Sequence, residues 1–275
     1  MSYCNQMIVH AVDVMESYLN NKLPETKLWE HSFIKKQIDR REHQESFTIE
    51  DHIRGMVYSM LSSGAKWDRV VDGIDDSTGK ITAIDKLFHN YDTKYILSGS
   101  SDFYTERIKE ICGATQSTRK QMEALIKTNI PLLSKIENQY GSIDLCYKKY
   151  ITEDSTLKGL IEKLSESLLK MNQMGEALNA EYLRNVGYDI AKPDRHIRRI
   201  LGSKILGCSN CENVPIYEAM DIIQSIAEQM GKHCAEVDYL LWMYCANGYG
   251  EVCTVRNPKC NICVIRNICN SERSI

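Results

Sequence analysis

Four of the eleven cysteines fall between residues 253 and 269, as Cys253-Thr-Val-Arg-Asn-Pro-Lys-Cys260-Asn-Ile-Cys263-Val-Ile-Arg-Asn-Ile-Cys269, and no other feature restricts this chain as strongly. The spacing reads C-x6-C-x2-C-x5-C. Thiolates are soft ligands, and four of them suit either a tetrahedral zinc ion or an iron–sulfur cluster. Structural zinc commonly sits on two separated C-x2-C knuckles, and bacterial ferredoxins use a tighter run with a following proline. This run matches neither. Disulfides belong to small secreted chains, whereas this one has 275 residues, and its early apolar run around Met7–Met15 is broken by His10 and Asp13. Clustered cysteines in such a chain point to a bound metal in a reducing, intracellular compartment.

The remaining sequence is helical in pattern. Met7, Ile8, Val12 and Met15 form a stripe over 4–19, and Thr48 with Asp51 resembles a capping pair opening a helix over 48–62. Further helices are expected at 80–90, 101–113, 117–128, 154–170, 176–186, 194–206, 214–231 and 233–247. Turn residues separate them at Gly64, Asp72–Gly73, Ser98–Ser101, Gly141 and Gly187. With no strand alternation, repeat or membrane-length apolar window, the expected class is all-α and the expected surroundings aqueous. A net charge of −3 gives no general affinity for nucleic acid. The charge is uneven, however: Lys192, Arg195, Arg198, Arg199 and Lys204 surround the single acid Asp194, and the tail carries Arg256, Lys259, Arg266 and Arg273.

The cysteine spacing, the segment Arg256-Asn-Pro-Lys-Cys260 and the preceding Tyr239-Leu-Leu-Trp-Met-Tyr-Cys-Ala-Asn-Gly248 together resemble the endonuclease III branch of the helix-hairpin-helix DNA glycosylases. The resemblance covers about 48–270 and is strongest over 190–270. It implies a [4Fe–4S] cluster of structural role on Cys253, Cys260, Cys263 and Cys269, with Arg256 and Lys259 facing DNA phosphates. It also implies a two-domain fold: N-terminal helices at 1–47 packing with the cluster domain, a helical barrel at 48–190, and a catalytic-aspartate and cluster segment at 191–275.

Upstream, Lys192-Pro-Asp-Arg-His-Ile-Arg-Arg-Ile200 is similar to that family's catalytic signature and aligns Asp194 with the catalytic aspartate. The residues themselves support a helix start there, because Ile197, Ile200, Leu201 and Ile205 share one helical face. A carboxylate at that point accepts amide hydrogen bonds and stays ionised, as glycosidic cleavage requires. A simple helix cap is the competing reading, and His196 reads as structural.

The family's glycine-rich hairpin corresponds to Leu169-Lys-Met-Asn-Gln-Met-Gly-Glu-Ala177, where Gly175 alone survives. Asn172 suits the left-handed backbone of the lost glycine better than Gln173 does. Met174, Gly175 and Glu176 are the candidate phosphate contacts. The lysine that forms a Schiff base in bifunctional relatives is replaced by Glu176 or Ala177, which implies a monofunctional hydrolase unless Lys170 or Lys192 substitutes. The base-flipping wedge segment corresponds to Met60-Leu-Ser-Ser-Gly-Ala-Lys-Trp-Asp68, with Gly64 in place of the wedge glutamine. Ser63, Gly64 and Lys66 are candidate DNA contacts, and Trp67 reads as core or as a base-stacking residue. Cys208 and Cys211 read as a loop without metal.

The expected function is excision of a damaged or mismatched base from double-stranded DNA, by a monomer in the cytoplasm or nucleoid of a prokaryote or the nucleus of a eukaryote. Alkylated or mismatched bases come first among the lesions. Competing readings are a catalytically silent DNA-binding relative, an iron–sulfur electron carrier and a zinc-stabilised interaction module.

Overall fold

A computed structural model describes residues 6–154, 156–167 and 169–273. In chain order its helices are α1 (Gln6–Lys22), α2 (Phe33–Glu42), α3 (Ile49–Gly64), α4 (Trp67–Asp72), α5 (Thr82–Leu87), α6 (Thr93–Ser98), α7 (Ser101–Cys112) and α8 (Thr118–Ala124). They continue as α9 (Ile130–Tyr140), α10 (Ile143–Asp154), α11 (Leu157–Glu166), α12 (Glu176–Asn185), α13 (Arg195–Ile200), α14 (Ile216–Met230), α15 (Cys234–Cys245) and α16 (Asn270–Arg273). Among the described residues no strand forms beyond an isolated antiparallel bridge between Ile74 and Ile81. No helix of the described residues is long and apolar enough to cross a membrane.

The chain divides into two compact units. One joins the residues up to Lys35 with those from Asp189 onward, and the other is continuous from Lys36 to Tyr188. In the first unit α1 packs on α14 and α15, burying Ile8, Ala11, Val12, Met15 and Leu19. Lys232 bridges the carboxylates of Glu16 and Glu236, fixing the start of α15 against α1.

The second unit is organised on α3 and α12. Helix α3 begins as expected at Thr48, whose side chain and that of Asp51 bond each other's amides in a capping box. It buries Ile53, Met56, Val57, Met60 and Leu61. Polar links run along the same contact: Ser59 donates to the Leu178 carbonyl (2.6 Å), Ser62 to Glu181 (2.6 Å) and Asn185 to the Gly55 carbonyl (3.1 Å). Residues 36–47 fall in this unit because Arg41 donates to the Val186 carbonyl and to Asp144 while stacking on Phe47 and Tyr188.

Several expected boundaries differ. The start of the first expected helix at residues 4 and 5 lies outside the described residues, and that helix runs on to Lys22. The helix expected at 154–170, part of which also lies outside the described residues, is the shorter α11, capped by Thr156 and ending at Glu166, and α10 before it was not expected. The helix expected at 117–128 continues through a π-turn at Leu125–Asn129 into α9. Pro131 is tolerated there because it occupies the first turn of the next helical stretch, where no amide is required. The helix expected at 194–206 stops at Ile200, and the Ser203 amide bonds to the Cys211 carbonyl (2.9 Å) instead of continuing the helical ladder.

Helices α11 and α12 pack together, with a hairpin between them. Its left-handed residue is Gln173 (φ 60°), not Asn172 as the sequence suggested. Asn172 is held on both sides by Asn129: its amide donates to Asn129 Oδ1 (2.8 Å) and its carbonyl accepts from Nδ2 (3.0 Å). The turn therefore falls one residue later, on an exposed side chain. Asn179 closes the other side, donating to Ser165 (2.9 Å) and to the Met174 carbonyl (3.0 Å). Asn129 and Asn179 are both fully buried.

Two stability predictions follow from these contacts. A methyl group added at Gly64 would run into the side-chain amide of Gln121, which can yield only by giving up its bond to Ser63, so Gly64→Ala should lower stability by about 1 kcal/mol in urea unfolding. Asn129→Ala removes two buried hydrogen bonds and should cost roughly 2 kcal/mol, with faster amide exchange across the hairpin than elsewhere in the unit.

Candidate active site and iron–sulfur centre

Asp194 is the N-cap of α13, with an extended backbone. Its Oδ1 accepts from the amides of His196 (2.7 Å) and Ile197 (3.2 Å), while Oδ2 carries no hydrogen bond among the described residues. The carboxylate is thus oriented by one oxygen and open at the other. Burial holds the His196 imidazole below its usual value, and its Nδ1 is enclosed without a hydrogen-bond partner among the described residues. The C-terminal end of α13 is tied down through its basic side chains. Arg198 donates to the Val214 carbonyl, and Arg199 donates to the carbonyl and sulfur of Cys253 (3.5 Å to Sγ).

The cysteine loop starts where α15 ends. The chain reverses after Cys245, with Gly250 donating to the Met243 carbonyl (2.9 Å) and Val252 to the Tyr244 carbonyl (3.0 Å). Two single-turn 3-10 helices, Cys260–Ile262 and Arg266–Ile268, then space the remaining cysteines. Tyr244 donates to Cys263 Sγ (3.3 Å) and accepts from the Val264 amide (3.2 Å). None of Cys253, Cys260, Cys263 and Cys269 is in a disulfide, and all four are partly buried.

These residues fit a [4Fe–4S] cluster. Four thiols on one loop match a group whose irons each take one sulfur. N–H and O–H donors already directed at Cys253 and Cys263 are the kind of partners that thiolate ligands of such clusters accept.

Of the residues expected at the DNA-facing loop, Lys259 pairs with Glu251 (3.1 Å) and Arg256 is exposed. In the second unit, the hairpin residues occupy distinct environments. Met174 is buried, its amide donates to the Met171 carbonyl (3.2 Å) and its carbonyl serves Asn179, so neither its side chain nor its amide is free for a phosphate. Gly175 is exposed at the N-cap of α12 and Glu176 follows in the first turn.

At the end of α3, Ser63 and Lys66 are exposed while Gly64 is buried. The space above Gly64 is taken by Gln121 from α8, which is 2% exposed and donates to Ser63 Oγ (2.9 Å). Sequence reasoning missed Gln121, Asn129, Arg199, Tyr244 and Cys245. Arg199 was visible only as one charge in the basic stretch at 192–204, and Tyr244 and Cys245 only as part of the segment leading into the cysteine run.

Residues 253–269 match the family model described as the iron–sulfur binding domain of endonuclease III. The chain is also similar to solved structures over most of its length. It matches the 8-oxoguanine DNA glycosylase of Thermotoga maritima with a TM-score of 0.55 and 16% identity, over 86% of this chain and 96% of that one. It matches the 8-oxoguanine DNA glycosylase of Methanocaldococcus jannaschii with a TM-score of 0.53 and 19% identity, over 86% and 94%. The glycosylase/lyase of the same organism, in complex with a 15mer DNA containing 8-oxoguanine, gives a TM-score of 0.52 and 18% identity, over 88% and 98%. The chain therefore has the all-α helix-hairpin-helix glycosylase fold and carries the iron–sulfur binding domain of the endonuclease III family, with its [4Fe–4S] cluster, at residues 253–269.

Proposed function

We propose that this protein is a base-excision DNA glycosylase that hydrolyses the N-glycosidic bond of a damaged or mismatched base in duplex DNA. The observation that carries the reading is the Asp194 carboxylate, oriented through Oδ1 and open at Oδ2. A target base is unreachable within a stacked duplex, so the nucleotide is flipped out before the bond breaks. As the base departs with its electron pair, positive charge grows on the sugar, and a fixed carboxylate facing that charge stabilises it. Oδ2 then accepts a proton from the water that attacks C1′ and releases it through solvent to the departed base anion, leaving an abasic site and the free neutral base. The cluster, when bound, contributes a folded basic loop and takes no part in these steps.

The hairpin carries Glu176 and Ala177 where a Schiff-base lysine would stand, which supports water as the nucleophile and a monofunctional reaction. Gly175 and Glu176 at the start of α12, together with Ser63, Lys66, Arg256 and Lys259, are the proposed DNA contacts. Gly64 contributes by admitting Gln121 and makes no contact of its own. The active form is proposed to be a monomer acting on intracellular DNA. 8-Oxoguanine is the base named for the matched structures, so it joins alkylated and mismatched bases as a substrate to be tested.

The test is a screen of duplexes bearing single lesions, followed by hot-alkali cleavage at abasic sites. Wild-type protein should release at least one base, and Asp194→Asn should lower the rate by about 10²-fold or more while leaving binding to the same duplex intact. Borohydride should trap no covalent adduct. Trapping would point instead to a displaced lysine, and inactivity on every lesion would favour a silent DNA-binding relative.

A further inference from the structure

A cavity of about 370 Å³ lies wholly within the unit from Lys36 to Tyr188, a volume in the range of small-molecule sites. It includes neither Asp194 nor any of the proposed DNA contacts. Phe47, Leu145, Ile151 and Tyr188 give it apolar walls, and of its charged members Arg41 and Asp144 are fixed from behind. Arg41 donates through Nε (3.0 Å) and Nη2 (2.6 Å) to the Val186 carbonyl, and through Nη2 to Asp144 Oδ1 (3.0 Å). Its guanidinium carbon lies 3.9 Å from the centre of the Tyr188 ring and 4.5 Å from that of Phe47. Asp144 Oδ1 also accepts from the Tyr188 hydroxyl (3.2 Å), and His52 Nε2 stands 3.6 Å away. These contacts leave Arg41 Nη1 and Asp144 Oδ2 unused: among the described residues neither makes a hydrogen bond. Neither atom is sealed from solvent, the two side chains being 25% and 22% exposed.

We propose that this cavity binds a free α-amino acid with an apolar side chain, its carboxylate on Arg41 Nη1 and its ammonium on Asp144 Oδ2. A guanidinium can only donate and an ionised carboxylate can only accept, so the ligand must bring an anionic acceptor and a cationic donor together. Because the two protein groups are already joined through Nη2 and Oδ1, their free ends are neighbours, as are the ammonium and carboxylate on one α-carbon. A ligand with a single charge would displace water from both groups and leave one of them unpaired, which is costly. The rings of Phe47 and Tyr188, with Leu145 and Ile151, then take the side chain out of water. Arg41 and Asp144 are held before any ligand arrives, so little ordering opposes binding.

The test is titration calorimetry of the full-length holoprotein, without DNA, against L-leucine, L-phenylalanine, leucinamide, N-acetylleucine and glycine. At least one of the first two should bind with a Kd below about 1 mM. Leucinamide lacks the carboxylate, N-acetylleucine the ammonium and glycine the side chain, so each should bind about tenfold more weakly or worse. Asp144→Asn keeps an acceptor for Arg41 and Tyr188 but removes the charge at Oδ2, and should weaken amino-acid binding by a similar factor while leaving N-acetylleucine unchanged. If that variant does not fold, Leu145→Trp decides: at an exposed position it fills the cavity without touching either charged group, and it should abolish binding. No saturable binding of leucine or phenylalanine, equal binding of leucinamide or N-acetylleucine, or undiminished binding by Leu145→Trp overturns the proposal. None of these readouts involves base release, so failure here and failure of the proposed function are separable.

Discussion

Helix α13 has six residues, too few to hold itself together by its own hydrogen bonds, and the candidate site depends on what anchors it from outside. Asp194 satisfies the first amides, Arg198 fastens the last turn to the Val214 carbonyl, and Arg199 fastens it to Cys253. The apolar residues Ile197 and Ile200 bury the inner face. A carboxylate directed by so short a helix keeps its aim only while the far end is held. The cysteine loop thereby becomes part of the support of Asp194, although none of its residues touches that carboxylate.

The second unit reaches a hairpin by a different route from the glycine-rich one the resemblance implies. Two buried asparagines, Asn129 and Asn179, take hold of the backbone at Asn172 and Met174 and leave Gln173 in the left-handed region. A non-glycine residue there costs roughly 1 kcal/mol, a small sum beside the buried hydrogen bonds that impose it. Gly64 shows the converse. Its lack of a side chain is what allows Gln121 to lie across the end of α3.

The features legible in the sequence were those encoded over short distances. The cysteine spacing, the aspartate opening a basic apolar helix and the capping box at Thr48 each involve residues close along the chain, where type and interval suffice. The helical class was legible for the same reason. What escaped were partners distant in sequence. Nothing near Gly64 announces Gln121, nothing near Asn172 announces Asn129, and Arg199 reads as surface charge until the loop returns Cys253 to it. The boundary errors have local causes of another kind: the π-turn before Pro131 hid a continuing helix, and the Ser203 amide bonds to Cys211 where the ladder of another would have continued.

The division of the chain also bears on the order in which it can fold. The unit from Lys36 to Tyr188 is continuous, so its contacts are available as soon as that stretch has left the ribosome. The other unit joins α1 to helices made more than two hundred residues later, with α1 packing against α15. Until then Ile8, Ala11, Val12, Met15 and Leu19 present an uncovered apolar face on the nascent chain. The apolar face of α1 is therefore covered only once α14 and α15 have been made, and the cysteine loop follows them in the chain.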